Sequence, residues 1–273
     1  LVLGMSFLVA VFGCQPMFKM GSLNMLINNS FVQEIEDKNQ YPVVMGRSGS
    51  QNLSDVDGID SVQNNVTSYQ EVWEKYLSSI DVLATQTIYQ FKEESCQGYY
   101  GSKGNYVNVS YMPEIENHIE ILKGENFEEY VGAGEYYPCL ISEAVMDEYN
   151  LSYGEVLKFV NWTSESGENL QLVVCGIFKE ADRTDLFWYV EPTELSSNIF
   201  VSKESFDEIM KQYPQSSISY KHYSLFDYQD INSSNIEDVK YYIEEFKKAD
   251  ANFMFTFGEM IANYDAEKKT VNI

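Results

Sequence analysis

The spacing of apolar residues changes rhythm along this chain, and each change marks an element. From Leu1 to Phe18 the run is apolar apart from Gly4, Ser6, Gly13, Gln15 and Pro16. Met20, Leu23, Leu26 or Ile27, Phe31 and Ile35 then recur every three or four residues among Asn, Ser, Gln and Glu. That period predicts an amphipathic helix continuing the apolar run to about Lys38-Asn39, with no proline between Pro16 and Pro42 to break it. A short apolar run at "YPVVM" leads into a Gly, Ser, Asp and Asn-rich stretch, 46–67, expected as a long acidic loop. Ser68-x-x-Glu71 matches a capping box, with Trp73, Tyr76, Leu77 and Ile80 following at helical spacing. "TQTIYQF" and "NYVNVSYM", rich in β-branched and aromatic residues, predict strands.

The middle of the chain repeats one layout. "PCLISEAVMDEYNLSYGEVLKFV" predicts a strand, a helix capped by Ser142, a turn at Gly154 and a second strand. "NIFVSKESFDEIM" repeats the strand and the helix, with Ser202 as the cap. Between them "NLQLVVCGIFKEA" is apolar at successive positions, as expected of a central strand covered on both faces. Towards the end, "SISYKHYSLFDY" alternates like a strand. Ser234-x-x-Glu237 is a second capping box, with Ile236, Val239, Ile243 and Phe246 on one helical face, and "NFMFTFGEMI" predicts a last strand. The chain therefore begins and ends with strand–helix–strand units around a distinct middle.

Composition narrows the function. The 273 residues carry 18 Lys and Arg against 42 Asp and Glu, a net charge of −24, with no basic stripe, so nucleic acid is excluded as a partner. Four cysteines (Cys14, Cys96, Cys139, Cys175) are too few for a disulfide scaffold. Cys139 and Cys175 lie in apolar strand-like runs and read as buried small hydrophobes, with a bridge between them left open because spacing supplies no geometry.

Three readings fit the opening run. A secretion signal needs a basic segment ahead of its apolar core, and none is present. "VFGC" resembles a lipoprotein cleavage site with Cys14 as the acylated residue, although Phe12 is bulky for such a site. As a helix the run reaches about 27 Å, just short of the ~30 Å hydrocarbon core, so a few upstream residues would complete a membrane span. The unbroken amphipathic continuation favours the span, with the lipoprotein anchor as the alternative.

Catalytic motifs are missing. There is no G-x-x-x-x-G-K-[ST] loop, "GRSGS" is not a nucleophile elbow, and neither His118 nor His222 has a second metal ligand at i+3 or i+4. "SDVDGIDS" sets Asp55, Asp57 and Gly58 as in a calcium loop, but Leu53 and Asn64 stand where essential oxygen ligands belong. No catalytic, cofactor-binding or metal residue is expected, and the chain does not read as an enzyme. "ADRTDLFWYVEP" supplies the one set of candidate partner contacts, Phe187, Trp188 and Tyr189. The alternative is a loop that folds these rings back over the sheet.

The apolar helix running into a stalk, followed by "ILKGENF", "CLISEAVMDEYNLSYGEVLKF", "LQLVVCGIFKEAD" and "NIFVSKESFDEIM", resembles the extracytoplasmic core domain of MacB-like and FtsX-like ABC transporter permeases. The sequence departs from that pattern at Glu155 after Gly154, where Asp is common, and in the acidic stretch 46–67. The resemblance implies an α+β, two-lobed extracytoplasmic domain behind a transmembrane and stalk helix, residues 1–40. The membrane-proximal lobe would be 41–112 with 214–273, and an inserted distal lobe would be 113–213. It also implies localisation at the cell membrane, no cofactor, a separate ABC ATPase subunit that hydrolyses ATP, and a permease dimer. Membrane lipid and an extracytoplasmic protein or peptide are further implied partners, with another apolar span expected after Ile273. The family's mechanism is mechanotransmission, in which ATP-driven closure inside moves the outer domains. The competing class is a surface-anchored binding lipoprotein acylated at Cys14.

Overall fold

A computed structural model describes residues 2–38, 41–53, 58–91, 97–100, 103–131, 134, 136–182, 184–188, 197–213, 217–256 and 264, with side chains of 2–17, 38, 97–100 and 103–106 outside the description. The helices are α1 (Val2–Lys38), α2 (Ile59–Tyr76), α3 (Glu143–Tyr149), α4 (Lys203–Gln212) and α5 (Ile236–Ala249). The strands are β1 (Val44–Asn52), β2 (Val82–Phe91), β3 (Gln97–Tyr100), β4 (Lys103–Tyr106), β5 (Asn108–Tyr111), β6 (Ile119–Gly124) and β7 (Tyr137–Ser142). They continue with β8 (Val156–Thr163), β9 (Asn169–Glu180), β10 (Asn198–Val201), β11 (Ser217–Phe226) and β12 (Phe253–Phe255). Among the described residues no helix is long and apolar enough to cross a membrane.

The chain divides into two compact units. Leu1–Gly46, Glu71–Ala84 and Ser224–Ile273 form unit 1, and Arg47–Gln70 with Thr85–Tyr223 form unit 2. The boundary falls inside β1, α2, β2 and β11, not between elements.

Unit 1 is built on the strand order β12–β1–β11–β2. The amphipathic stretch of α1 packs onto it as its period predicts: Leu23, Ile27 and Phe31 are buried with Val43, Met45 and Phe226. Each such side chain stabilises the packing by roughly 1.5–3 kcal/mol. A polar tie joins the same surfaces, because the Asn24 side chain accepts from the Ser233 backbone N–H at 2.8 Å. Ile236, Val239 and Ile243 of α5 face this core, with Trp73 and Leu77 from the end of α2.

Unit 2 has the order β1–β11–β2–β5–β10–β7–β9–β6, with β8 alongside β9 and β3–β4 as a separate two-stranded sheet. β5–β10 and β7–β9 are parallel pairs. β9 is the central strand expected, with one edge on β7 and the other shared between β8 over its first half and β6 over its second. Its run Leu172–Phe178 is buried throughout, which is why it shows no alternation. In the core Phe91 stacks on Phe206 at 4.4 Å and meets Trp162 edge-on at 4.9 Å. The repeated serine caps form as expected: Ser142 Oγ accepts from Val145 N and Ser202 Oγ from Ser205 N, both at 3.2 Å.

Four local expectations are corrected. The stretch 46–67 is not one loop, since β1 runs to Asn52 and α2 starts at Ile59. Ser68 therefore lies inside α2 rather than capping it, and its hydroxyl donates back to the Asn65 carbonyl at 2.7 Å. The helix extends upstream because Ile59, Val62 and Val66 continue its buried stripe. Ser234 does not cap α5 either: the N-cap is Asn235, and the Ser234 hydroxyl donates to the Asn232 side chain instead. "NYVNVSYM" is two strands rather than one, because β4 pairs with β3 and β5 with β2 and β10.

Candidate functional site

Of the three candidate contacts, Phe187 and Trp188 follow β9 in a turn of unit 2 closed by two aspartates. Asp182 Oδ1 accepts from Thr184 N and Oγ1 at 2.8 and 2.7 Å, and these bonds hold its carboxyl below the usual carboxylate range. Asp185 Oδ1 accepts from Phe187 N at 2.9 Å, while Oδ2 meets His118 Nδ1 at 2.5 Å. Burial alone would raise the Asp185 carboxyl, but the Phe187 N–H and His118 together bring it below its ordinary value.

The His118 imidazole lies flat on the Phe187 ring, 3.7 Å between centroids and 4° between planes. Trp188 Nε1 donates to the His118 carbonyl at 3.0 Å, and the Gln86 side-chain amide donates to the Phe187 carbonyl. Phe187 and Trp188 are only 9% and 8% exposed, and the Trp188 ring meets Phe187 edge-on at 5.1 Å. Tyr189 lies outside the described residues. The two rings are thus fastened over the end of the sheet by one histidine, one aspartate and one buried glutamine.

A His–Asp pair is also two parts of a nucleophile-activating set. Among the described residues no hydroxyl or thiol is hydrogen-bonded to His118, so the geometry given is that of a latch on the turn. Sequence reasoning missed this pair because its members stand 67 positions apart and neither belongs to a motif.

The other charged and nucleophilic groups in unit 2 also hold structure. Lys203 bridges Asp60 at 3.0 Å and Asp207 at 3.2 Å, and Asp207 Oδ1 accepts from the Ile59 backbone N–H at 2.9 Å, capping α2 from α4. The Arg47 guanidinium sits 3.5 Å above the Tyr69 ring and donates to the Tyr220 hydroxyl. His222 is buried, with Nδ1 2.8 Å from Thr87 Oγ1, and burial pushes its pKa down to about 4.

Cys139 and Cys175 are both free and buried, and Cys175 Sγ donates to the Cys139 carbonyl at 3.2 Å. Burial pushes the Cys175 thiol up to about 12 and Cys139 well above its ordinary value, so neither is a ready nucleophile. The described residues contain no cluster of His, Cys, Asp and Glu able to hold a metal ion; Asp55 and Asp57 lie outside them.

No protein-family model matches the chain, and no curated protein matches it significantly. Solved structures do match, in 15 chains. One is a domain assigned to a permease protein of Porphyromonas gingivalis, 12% identical, with a TM-score of 0.33 over 72% of this chain and 96% of that one. Another is the extracellular domain of the noncanonic ABC-type transporter YknZ from Gram-positive bacteria, 10% identical, with a TM-score of 0.28 over 62% of this chain and 80% of that one.

Proposed function

We propose that this chain is the extracytoplasmic domain of an ABC transporter permease, and that it couples ATP hydrolysis by a partner ATPase to conformational change outside the membrane, for export or envelope signalling. The observation that carries the reading is α1. This 37-residue helix leaves the apolar run 1–18 and seats Leu23, Ile27 and Phe31 in the core of unit 1. A continuous helix fixed in a core passes displacement on as a rigid body, because the packed contact has no slack to absorb it. The sequence motifs from Ile121 to Met210 support the same family.

In this reading residues 1–18 are the outer part of a first membrane helix, the ATPase is a separate subunit or domain, and the permease works as a dimer. The test inserts two glycines after Asn28, in the full-length permease with its ATPase in membranes. Hydrolysis should persist while transport or signalling is lost, and normal transport by the insertion variant refutes the coupling. Acyl labelling at Cys14, with release of the chain from the membrane by Cys14→Ser, would instead establish the anchored binding lipoprotein.

A further inference from the structure

Among its described residues unit 1 exposes aromatic side chains on α2 and α5. Val72 and Tyr76, one turn apart on α2, are each 48% exposed, and Tyr241 on α5 is 60% exposed. The two helices meet through the Tyr76 ring, 5.1 Å from Tyr242 and 5.8 Å from Phe246, and Tyr241 stands beside Tyr242 on α5, 5.5 Å between ring centroids. Next to Tyr76, Phe253 is 5.5 Å from Phe246 and 5.7 Å from Trp73, so that ring borders a packed aromatic floor.

The surroundings decide what can cover the face. The residues three and four positions either side of Tyr241 are Glu237, Asp238, Glu244 and Glu245, all exposed. Of the nearby cations, Lys240 pairs with Glu237 at 3.5 Å and Lys248 with Glu245 at 2.9 Å, Lys247 lies 5.9 Å from the Phe255 ring, and Lys75 is exposed beside Tyr76, so the carboxylates around Tyr241 outnumber the cations left to answer them. An anionic lipid surface meets repulsion from these carboxylates and from the −24 net charge, and a second copy of the chain brings the same carboxylates against them.

We infer that the α2–α5 face docks a cationic amphipathic segment of another polypeptide. Its Lys or Arg side chains lie over the Tyr241 ring and between Asp238 and Glu244, and its apolar side chains lie against Val72 and Tyr76. Exposed tyrosines on a rigid floor make low-entropy anchors, and a cation over such a ring gains from both the ring face and the carboxylates. Docking here requires nothing of the permease reading, so failure of either leaves the other standing.

The test uses the whole chain and a short fluorescent amphipathic peptide of Lys and Leu, followed by anisotropy at several salt concentrations. Tyr241→Ser with Val72→Ser should weaken binding about tenfold, as expected for loss of central anchors. Asp238→Asn with Glu244→Gln should weaken it and flatten its salt dependence. Glu143→Gln with Glu148→Gln, which removes as much charge from α3, should leave affinity unchanged. A photoactivatable group on the peptide should label α2 and α5. Equal weakening by the α3 pair, or full affinity in the Tyr241 and Val72 variant, overturns the docking site. So does capture by phosphatidylglycerol vesicles that depends on Tyr241. Each substituted side chain is solvent-exposed or half-exposed, and far-UV circular dichroism checks the fold of every variant; should the serine pair unfold, Tyr241→Lys reads the same site by introducing a positive charge that repels the peptide.

Discussion

Asp207→Ala should destabilise unit 2 by about 1–2 kcal/mol, chiefly by uncapping a helix that lies 148 positions away in sequence. The Asp207 carboxylate accepts the Ile59 N–H at 2.9 Å, and Ile59 is fully buried at the first position of α2. Loss of a capping side chain costs roughly 0.5–2 kcal/mol, typically ~1, and that figure already contains the orphaned N–H. The ion pair to Lys203 at 3.2 Å joins i to i+4 on a half-exposed helix face and adds about 0.3–0.5 kcal/mol. Lys203 keeps Asp60, so no cation is stranded.

Urea denaturation followed by tryptophan fluorescence measures the loss, because Trp162 and Trp188 both lie in unit 2. At roughly 2–4 °C per kcal/mol for a domain of this size, the melting temperature should fall by about 3–6 °C. Asp207→Asn keeps an acceptor oxygen and loses only the charge, so it should cost about 0.5 kcal/mol. An Asp207→Ala variant within about 0.3 kcal/mol of the parent would refute the cap, given that capping losses start near 0.5 kcal/mol. Equal damage from Asn and Ala would move the effect onto the ion pair.

Two further outcomes follow from closely packed positions. Gly49 has no room for a side chain, since an added Cβ would lie 2.5 Å from the Tyr220 hydroxyl, and Arg47 holds that tyrosine in place. Gly49→Ala should cost about 1–3 kcal/mol in the same urea assay. Placing it on a Tyr220→Ala background should make the step smaller, and an unchanged step would refute the clash. For His222 the folded pKa of about 4 lies below the ordinary imidazole value of 6.5, so between those values the unfolded chain binds more protons. Stability is full above 6.5 and falls as the pH drops toward 4, by up to about 3 kcal/mol at about 1.4 kcal/mol per unit. His222→Gln should flatten that part of the urea midpoint against pH curve, and parallel curves for parent and variant would refute it.

The sequence determined whatever depends on neighbours a few residues apart. The period of Leu23, Ile27 and Phe31 gives the amphipathic part of α1, Ser142 and Ser202 cap their own helices, and the uninterrupted apolar run Leu172–Phe178 marks the central strand. These are local signals because a helix face, a cap and a strand face are each read within one or two turns of chain. The two capping boxes that failed show the limit of the same signal. Ser68 falls mid-helix because Ile59 and Val62 find a core and Asp207 supplies the cap from another helix.

The candidate site was legible only as a run of aromatics at 187–189. Whether the rings faced out or in depended on His118 and Gln86, which reach Phe187 from distant segments. The unit boundary was equally hidden, because it cuts through β1, α2, β2 and β11, where no change of composition marks it. The exposed tyrosines of α2 and α5 share their apolar spacing with buried neighbours, and only packing decides which rings a core covers. Composition fixed the acidic character of the chain as a whole at the outset. Tertiary structure alone set Tyr76 of α2 against Tyr242 and Phe246 of α5, because bringing two helices together is a long-range burial of apolar area that no local pattern encodes.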